Sequence, residues 1–173
     1  VGVSIDGMRE THDRFRRRPG GFDAALRGLR YCRDRGIKVG LRFTSTADNI
    51  HELPQMLRLM EREKIGKFYF SHLNYAGRGN RNRGDEAAHR MTRAAMDLLF
   101  ETCLNHVEQG RQREFVTGNN DADGAYFLRW AMRRFPARVT ALRQALERWG
   151  GNGAGVGIAN IDNVGSVHPD TMW

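Results

Sequence analysis

The sequence predicts an α/β fold with parallel strands. A strand, a polar strand end, a loop and an amphipathic helix recur in that order from Val1 onwards. Strands alternating with helices of roughly 10–15 residues imply parallel βαβ units with right-handed crossovers. Each of the first three strands also ends in polar residues: Ser4 and Asp6, Arg42 and Thr44, Ser71 and His72. In parallel folds the loops leaving the C-terminal strand ends surround a shared mouth, so these side chains are expected to face one site.

The first strand is Val1-Gly2-Val3-Ser4-Ile5, running into Asp6-Gly7. Period-two alternation puts Val1, Val3 and Ile5 on one face and Ser4 and Asp6 on the other. The same residues also suit a buried strand with an ordinary Asp-Gly turn. Residues 8–20 read as a polar loop centred on His12-Asp13-Arg14-Phe15-Arg16, with Arg17 and Arg18 before Pro19-Gly20-Gly21. Such a loop can grip an anion over the mouth or simply be solvated. Residues 22–35 read as a helix, with Phe22, Ala25, Leu26, Leu29 and Cys32 on one stripe and Gly36 as the stop. Cys32 is therefore expected in the core.

Residues 38–44 form the second strand, with Leu41 and Phe43 on one face and Arg42 and Thr44 on the other. An arginine there, if buried, needs an anionic ligand or a carboxylate. Asn49-Ile50-His51-Glu52 has the spacing of a capping box, and Pro54 belongs in the first turn of the helix that follows. Ile50, Leu53, Met56, Leu57 and Met60 mark its buried stripe. Residues 67–73 form the third strand, which leads into Asn74-Tyr75-Ala76-Gly77-Arg78-Gly79-Asn80.

A long helix is expected over 86–108, with Met91, Ala95, Leu98, Leu99 and Cys103 on its stripe, and a short strand over Glu114–Thr117. Asn119, Asp121 and Asp123 before Gly124 resemble the start of a calcium loop, but the twelfth position is Trp130 where a bidentate Glu is required. A helix over 122–135 capped by Asp fits better. Pro136 starts the next helix, lined by Val139, Leu142, Leu146 and Trp149. The glycine-rich stretch 150–157 lacks the GxGxxG spacing and precedes a strand, which argues against a dinucleotide loop. Ile158–Ile161 and Gly165–Val167 read as a hairpin around Asp162-Asn163.

At 173 residues and 40% hydrophobic content, the chain fits one soluble domain or part of one. Its net charge of +8 comes from 25 Arg and 3 Lys against 20 acidic residues. A basic surface suits nucleic acid or an anionic small molecule. The arginines are spread along the chain, however, and no RNP, zinc-finger or helix-turn-helix pattern accompanies them, so nucleic acid is not the expected partner. Cys32 and Cys103 form no CxxC, so no metal site is expected from this stretch, and two scattered cysteines suit a reducing, cytoplasmic setting. No apolar run approaches the roughly 18 residues of a membrane span, and no signal peptide is visible. Starting at Val1 inside a strand pattern and stopping at Trp173 without a closing element, the sequence reads as an excerpt of a longer protein.

Several segments together carry a resemblance. Val3-Ser4-Ile5-Asp6-Gly7, His12-Asp13-Arg14-Phe15-Arg16 and Gly20-Gly21-Phe22 resemble the middle of SPASM-containing radical SAM enzymes. Residues 72–79, 117–124 and 157–165 resemble, within that group, the type that acts in heme d1 biosynthesis. The resemblance implies the second half of a partial (β/α) radical SAM barrel over 1–110, and over 111–173 a helical segment and the start of a SPASM-type β-hairpin. It implies S-adenosylmethionine (SAM) and [4Fe-4S] clusters as cofactors of the full-length enzyme, with the cluster cysteines outside this stretch. The activity implied is generation of a 5′-deoxyadenosyl radical. The substrate implied is an anionic, siroheme-derived tetrapyrrole that loses propionates and gains oxo groups, and an electron-donor protein would be the partner. By position, Ser4, Asp6, Arg42, Thr44 and His72 are implied on the SAM side. Tyr75, Arg78, His12 and Arg16 are implied on the substrate side. A sibling enzyme acting on another tetrapyrrole or on a peptide is the alternative.

Overall fold

A computed structural model describes residues 1–74, 84, 87–151 and 153–169. These fall into two compact units. The first holds residues 1–73, 84 and 87–119, and the second the described residues from 120 onwards, with Asn74.

The first unit is a four-stranded, wholly parallel sheet whose strands stand in chain order: β1 (Gly2–Ser4), β2 (Gly40–Thr44), β3 (Lys67–Ser71) and β4 (Glu114–Gly118). Three helical connections link them. Helices α1 (Arg9–Arg16) and α2 (Gly21–Arg33) lie between β1 and β2. A 3₁₀ turn (Ile50–Glu52) and α3 (Leu53–Arg62) lie between β2 and β3, and α4 (His89–Glu108) precedes β4. A sheet that advances one strand at a time by right-handed crossovers carries its crossover helices on one face.

The register shows which face that is. Val3, Leu41, Phe68 and Phe115 stand in one row, and Phe43, Phe70 and Thr117 in the next. Leu41, Phe43, Phe68 and Phe70 have no exposed surface. They meet Leu29 of α2, Leu53, Met56, Leu59 and Met60 of α3, and Met96 and Leu99 of α4 as the buried core. The aromatic side chains are spaced as packed neighbours, with Phe43 6.4 Å from Phe68 and 6.1 Å from Phe70 between ring centroids. The opposite face alternates with this one and carries Ser4, Arg42, Tyr69 and Val116 in one row and Thr44, Ser71 and Gly118 in the row above. Ser4 and Arg42 are exposed and Tyr69 and Thr44 half-buried. Within this unit, then, the sheet has a greasy back and a polar front.

Several sequence expectations need correction. The stretch read as a loop over 8–20 is largely α1. Its residues are almost all polar, and only Thr11 and His12 are buried, so the hydrophobic pattern that marks a helix is nearly absent. The capping box at 49–52 is not formed. Asn49 instead accepts from the Thr46 N–H at 2.7 Å and donates to the carbonyls of Thr44 (2.8 Å) and Asp6 (3.1 Å), while Glu52 turns to α1. The expected Asp cap at 121 makes no side-chain bond to the helix. The Asn120 Oδ1 accepts from the Ala122 N–H at 3.1 Å in its place.

The second unit contains α5 (Ala122–Arg134), a 3₁₀ turn (Pro136–Arg138), α6 (Val139–Trp149) and a hairpin of β5 (Asn160–Ile161) antiparallel to β6 (Val167–His168). Trp130 of α5 stacks with Phe127 and meets Phe135 edge-on, each at 5.9 Å. Trp149, expected on the buried stripe of α6, is 70% exposed. The hairpin turn is organised by Asp162, whose carboxylate accepts from the N–H groups of Val164 and Ser166 and lies 3.1 Å from His168 Nε2.

Candidate functional site

The polar strand ends do gather at one end of the sheet, but their side chains divide into two groups. The first group builds a frame. Asp6 is fully buried. Its Oδ1 accepts from the Thr44 N–H at 2.9 Å, and its Oδ2 accepts from Arg16, through Nε at 2.8 Å and also through Nη2. Its backbone N–H donates to His12 Nδ1 at 3.0 Å, and its carbonyl accepts from Asn49. One aspartate thus joins the exits of β1 and β2 to the middle and the last residue of α1. His12 is buried edge-on against Phe22, and burial is the main cause holding its imidazole pKa below the ordinary value, reinforced by Arg16 and opposed by Asp6 and Asp13. Since Nδ1 accepts a hydrogen bond, the neutral ring carries its proton on Nε2.

Gly7 turns the chain out of β1 at φ +138°, and Glu52 then receives the start of α1, accepting from the Met8 N–H at 2.6 Å and the Thr11 hydroxyl at 2.8 Å. Asp13 does the same for α2, accepting from the N–H groups of Gly20 (2.6 Å) and Phe22 (2.8 Å), which lowers its carboxyl pKa. Within the first twenty-two positions, Asp6 is thus bonded to His12 and Arg16, and Asp13 to Gly20 and Phe22.

The second group lies open on the front of the sheet. Ser4 is exposed, and Arg42 beside it lays its guanidinium over the Tyr69 ring, 5.0 Å from the centroid. Among the described residues no carboxylate pairs with Arg42. Thr44 gives its backbone N–H to Asp6, leaving its hydroxyl on the open face. At the exit of β3, Ser71 receives a hydrogen bond from Asn119 Nδ2 at 2.7 Å, and the His72 ring stands edge-on to Phe70 at 5.2 Å. Asn119 adopts a left-handed conformation, φ +67°, to make that bond. Tyr75 and Arg78 lie outside the described residues. Tyr69 is not singled out by the sequence, and Asn49 and Glu52 only as a capping box. Tyr69 sits in an apolar-looking run, Lys67-Phe68-Tyr69-Phe70, and the signal was its place in the alternation, on the same face as Arg42.

A concavity of about 1360 Å³ opens at the other, N-terminal end of the sheet, lined among others by Gly2, Lys38, Gly40, Lys67 and Arg111. It also reaches Arg42 and Tyr69.

No family model matches the sequence. Curated relatives do. The chain is 57% identical over its whole length to pre-heme d1 synthase of Dinoroseobacter shibae, and 42% identical over its whole length to Fe-coproporphyrin III synthase of Methanosarcina barkeri. In each case it covers 43% of the relative. A shorter match, 43% identical over 61 residues, is to the AdoMet-dependent heme synthase of Nitratidesulfovibrio vulgaris, covering 35% of this chain and 17% of that protein. The first unit is a singly wound (β/α) sheet whose polar strand ends share one rim. These relatives make the chain similar to the heme and heme d1 synthases of the radical SAM type, of which it spans 43% in the two it matches from end to end.

The family implies an iron–sulfur cluster and SAM, and the chain's residues fit them unequally. Cys32 and Cys103 are half-buried on separate helices, α2 and α4, and burial raises the Cys103 thiol pKa. Among the described residues no three His, Cys, Asp or Glu side chains could hold a metal. The residues present do not fit a cluster. They do fit an amino-acid and ribose ligand such as SAM, because the open front offers the hydroxyls of Ser4 and Thr44 and an arginine without a carboxylate.

Proposed function

We propose that this chain forms the second half of the barrel of a longer radical SAM enzyme that modifies a siroheme-derived tetrapyrrole in heme d1 biosynthesis. The observation that carries the reading is the 57% identity to pre-heme d1 synthase along the whole chain. Residues 1–110 would be the barrel half, and 111–173 would lead through α5 and α6 into a SPASM-type region begun by the β5–β6 hairpin. In the longer protein SAM and a [4Fe-4S] cluster would together supply radical chemistry, and the cluster's ligands would lie outside this chain.

This chain's residues would bind and orient. Ser4, Arg42, Thr44 and His72 would face SAM, with Asp6 at the same rim fixing the β1 and β2 exits that carry Ser4 and Thr44. Arg16 and His12 border the substrate side, with Tyr75 and Arg78 proposed beside them. A polycarboxylate tetrapyrrole matches the surplus of arginine, since guanidinium groups pair with carboxylates bidentately. A separate reductant protein would deliver electrons.

A second reading, a sibling enzyme acting on a different tetrapyrrole, is favoured by the 42% identity to Fe-coproporphyrin III synthase. Mass spectrometry separates the two. The longer protein, reconstituted anaerobically with iron and sulfide and given SAM and dithionite, is expected to convert a siroheme-derived substrate into a product that has lost propionates and gained oxo groups. Formation of Fe-coproporphyrin III in its place would select the second reading, and no conversion at all would remove both.

A further inference from the structure

On the open front of the sheet, Tyr69 makes an approach that the strand geometry does not require. Residue 118 is its diagonal neighbour on β4, in the row nearer the rim. A Cβ built on Gly118 would sit 2.8 Å from Tyr69 Cζ, and closer still to the phenol oxygen. Gly118 has no positive φ to explain its identity. Its lack of a side chain leaves the space that the phenol occupies. The tyrosine therefore leans across β4 toward the rim. Among the described residues its hydroxyl has no hydrogen-bond partner.

Arg42 completes the arrangement from the other side. The stem of Arg42 rests on Gly2, with Cδ 3.1 Å from where a Cβ would be, so a second small residue makes room for it. The guanidinium lies over the Tyr69 ring. A guanidinium carbon over a ring face engages the π-system and can leave N–H groups for a planar, bidentate acceptor. Two glycines on flanking strands thus accommodate one cation and one neutral donor side by side. Among the described residues neither group is answered by a carboxylate.

We propose that Arg42 and Tyr69 form a carboxylate-binding subsite on the front of the sheet, the guanidinium edge taking the carboxylate and the phenol donating a further hydrogen bond. The subsite rests on the radical SAM reading above and adds Tyr69 to it. Two ligands of that reading carry the required group: the amino-acid carboxylate of SAM and a propionate of the tetrapyrrole. The chemistry is the same for both.

Binding is measured on the full-length, cluster-loaded protein, with SAM by equilibrium dialysis and with the tetrapyrrole by absorbance titration. Tyr69→Phe keeps the ring and its stacking and removes only the donor. A hydrogen bond to a charged group corresponds to roughly a tenfold change in affinity or somewhat more. Tyr69→Phe and Arg42→Lys are each expected to weaken the same ligand by about tenfold or more, leaving the other within twofold. Weaker SAM binding places the SAM carboxylate in the subsite. Weaker tetrapyrrole binding places a propionate there, and the wild type should then lose affinity for the propionate methyl ester while Arg42→Gln plus Tyr69→Phe barely distinguishes acid from ester. Wild-type protein that binds both ligands, with both variants unchanged for each, overturns the subsite and leaves the radical SAM reading standing. Wild-type protein that binds neither ligand overturns both.

Discussion

A methyl group built on Gly7 would lie 2.6 Å from Glu52 Oε2 and 2.7 Å from Thr11 Cγ2, and the residue's φ of +138° is one that side chains rarely adopt. Steric collision and backbone strain therefore act together at the turn that starts α1. Gly7→Ala is expected to cost about 2–4 kcal/mol, read as a lower urea midpoint. The sequence identified the Asp-Gly turn, but only as turn chemistry. The carboxylate of Glu52, 45 positions away, could not be seen beside it. His12 was equally opaque: a histidine in a polar run looks like a ligand, and its burial depends on Phe22 and on the Asp6 N–H. Because burial holds its pKa below the ordinary 6.5, the unfolded chain binds a proton that the folded chain resists. Its contribution to stability is thus full above about pH 6.5 and is lost as the pH falls through that value towards the depressed one. The denaturation midpoint should drop between pH 7.5 and 5.5, and the drop should be smaller in His12→Gln, which cannot titrate; equal slopes in the two proteins would contradict this assignment.

Among the elements, β2 and β3 were the most legible, because alternation alone separates Leu41, Phe43, Phe68 and Phe70 from Arg42, Thr44 and Tyr69. Phe43 is fully buried between Phe68 and Phe70. Phe43→Ala is expected to cost about 3–5 kcal/mol by leaving a cavity, measurable by urea denaturation. Helix α1 was the least legible. A helix announces itself by burying a stripe, and α1 is instead fixed at its ends, by Glu52 at the start and by the Asp6–Arg16 pair in its last turn. Glu63, just beyond α3, plays a similar part on the back of the unit. Its side chain is 6% exposed and accepts from Arg30 Nε at 2.8 Å and Nη2 at 2.5 Å, with Arg33 Nη1 at 3.4 Å. Arg30 foremost holds its carboxyl pKa low. Glu63→Gln should cost on the order of 1–2 kcal/mol, since the arginines remain partly solvated. That difference should shrink as the pH falls through the carboxylate range, where the wild-type side chain also becomes neutral.

At the scale of the molecule, the chain spans 43% of the length of the relatives it matches from end to end. Its sheet ends at β1 and β4 on either side. Strand edges with free N–H and C=O groups favour association, so the 173-residue chain by itself is expected to self-associate in size-exclusion chromatography, more so than the full-length protein. No described helix is long and apolar enough to cross a membrane. The strand–helix repeat revealed the sheet and its rim from sequence alone. What it could not separate was the frame from the open face, because Ser4, Asp6, Arg42 and Thr44 share one alternation and differ only in what bonds to them.

The central claim is that the open front of this sheet is a wall of a SAM site. The most direct measurement is 5′-deoxyadenosine formation by the full-length protein, reconstituted anaerobically with iron and sulfide and supplied with SAM and dithionite. The account predicts reductant-dependent 5′-deoxyadenosine from the wild type, and a yield reduced about tenfold or more by Arg42→Gln plus Ser4→Ala, two exposed positions whose substitution spares the buried frame. No 5′-deoxyadenosine from cluster-loaded wild type, with or without tetrapyrrole, would contradict the radical SAM reading. Wild-type yield from the double variant would show that SAM is held elsewhere.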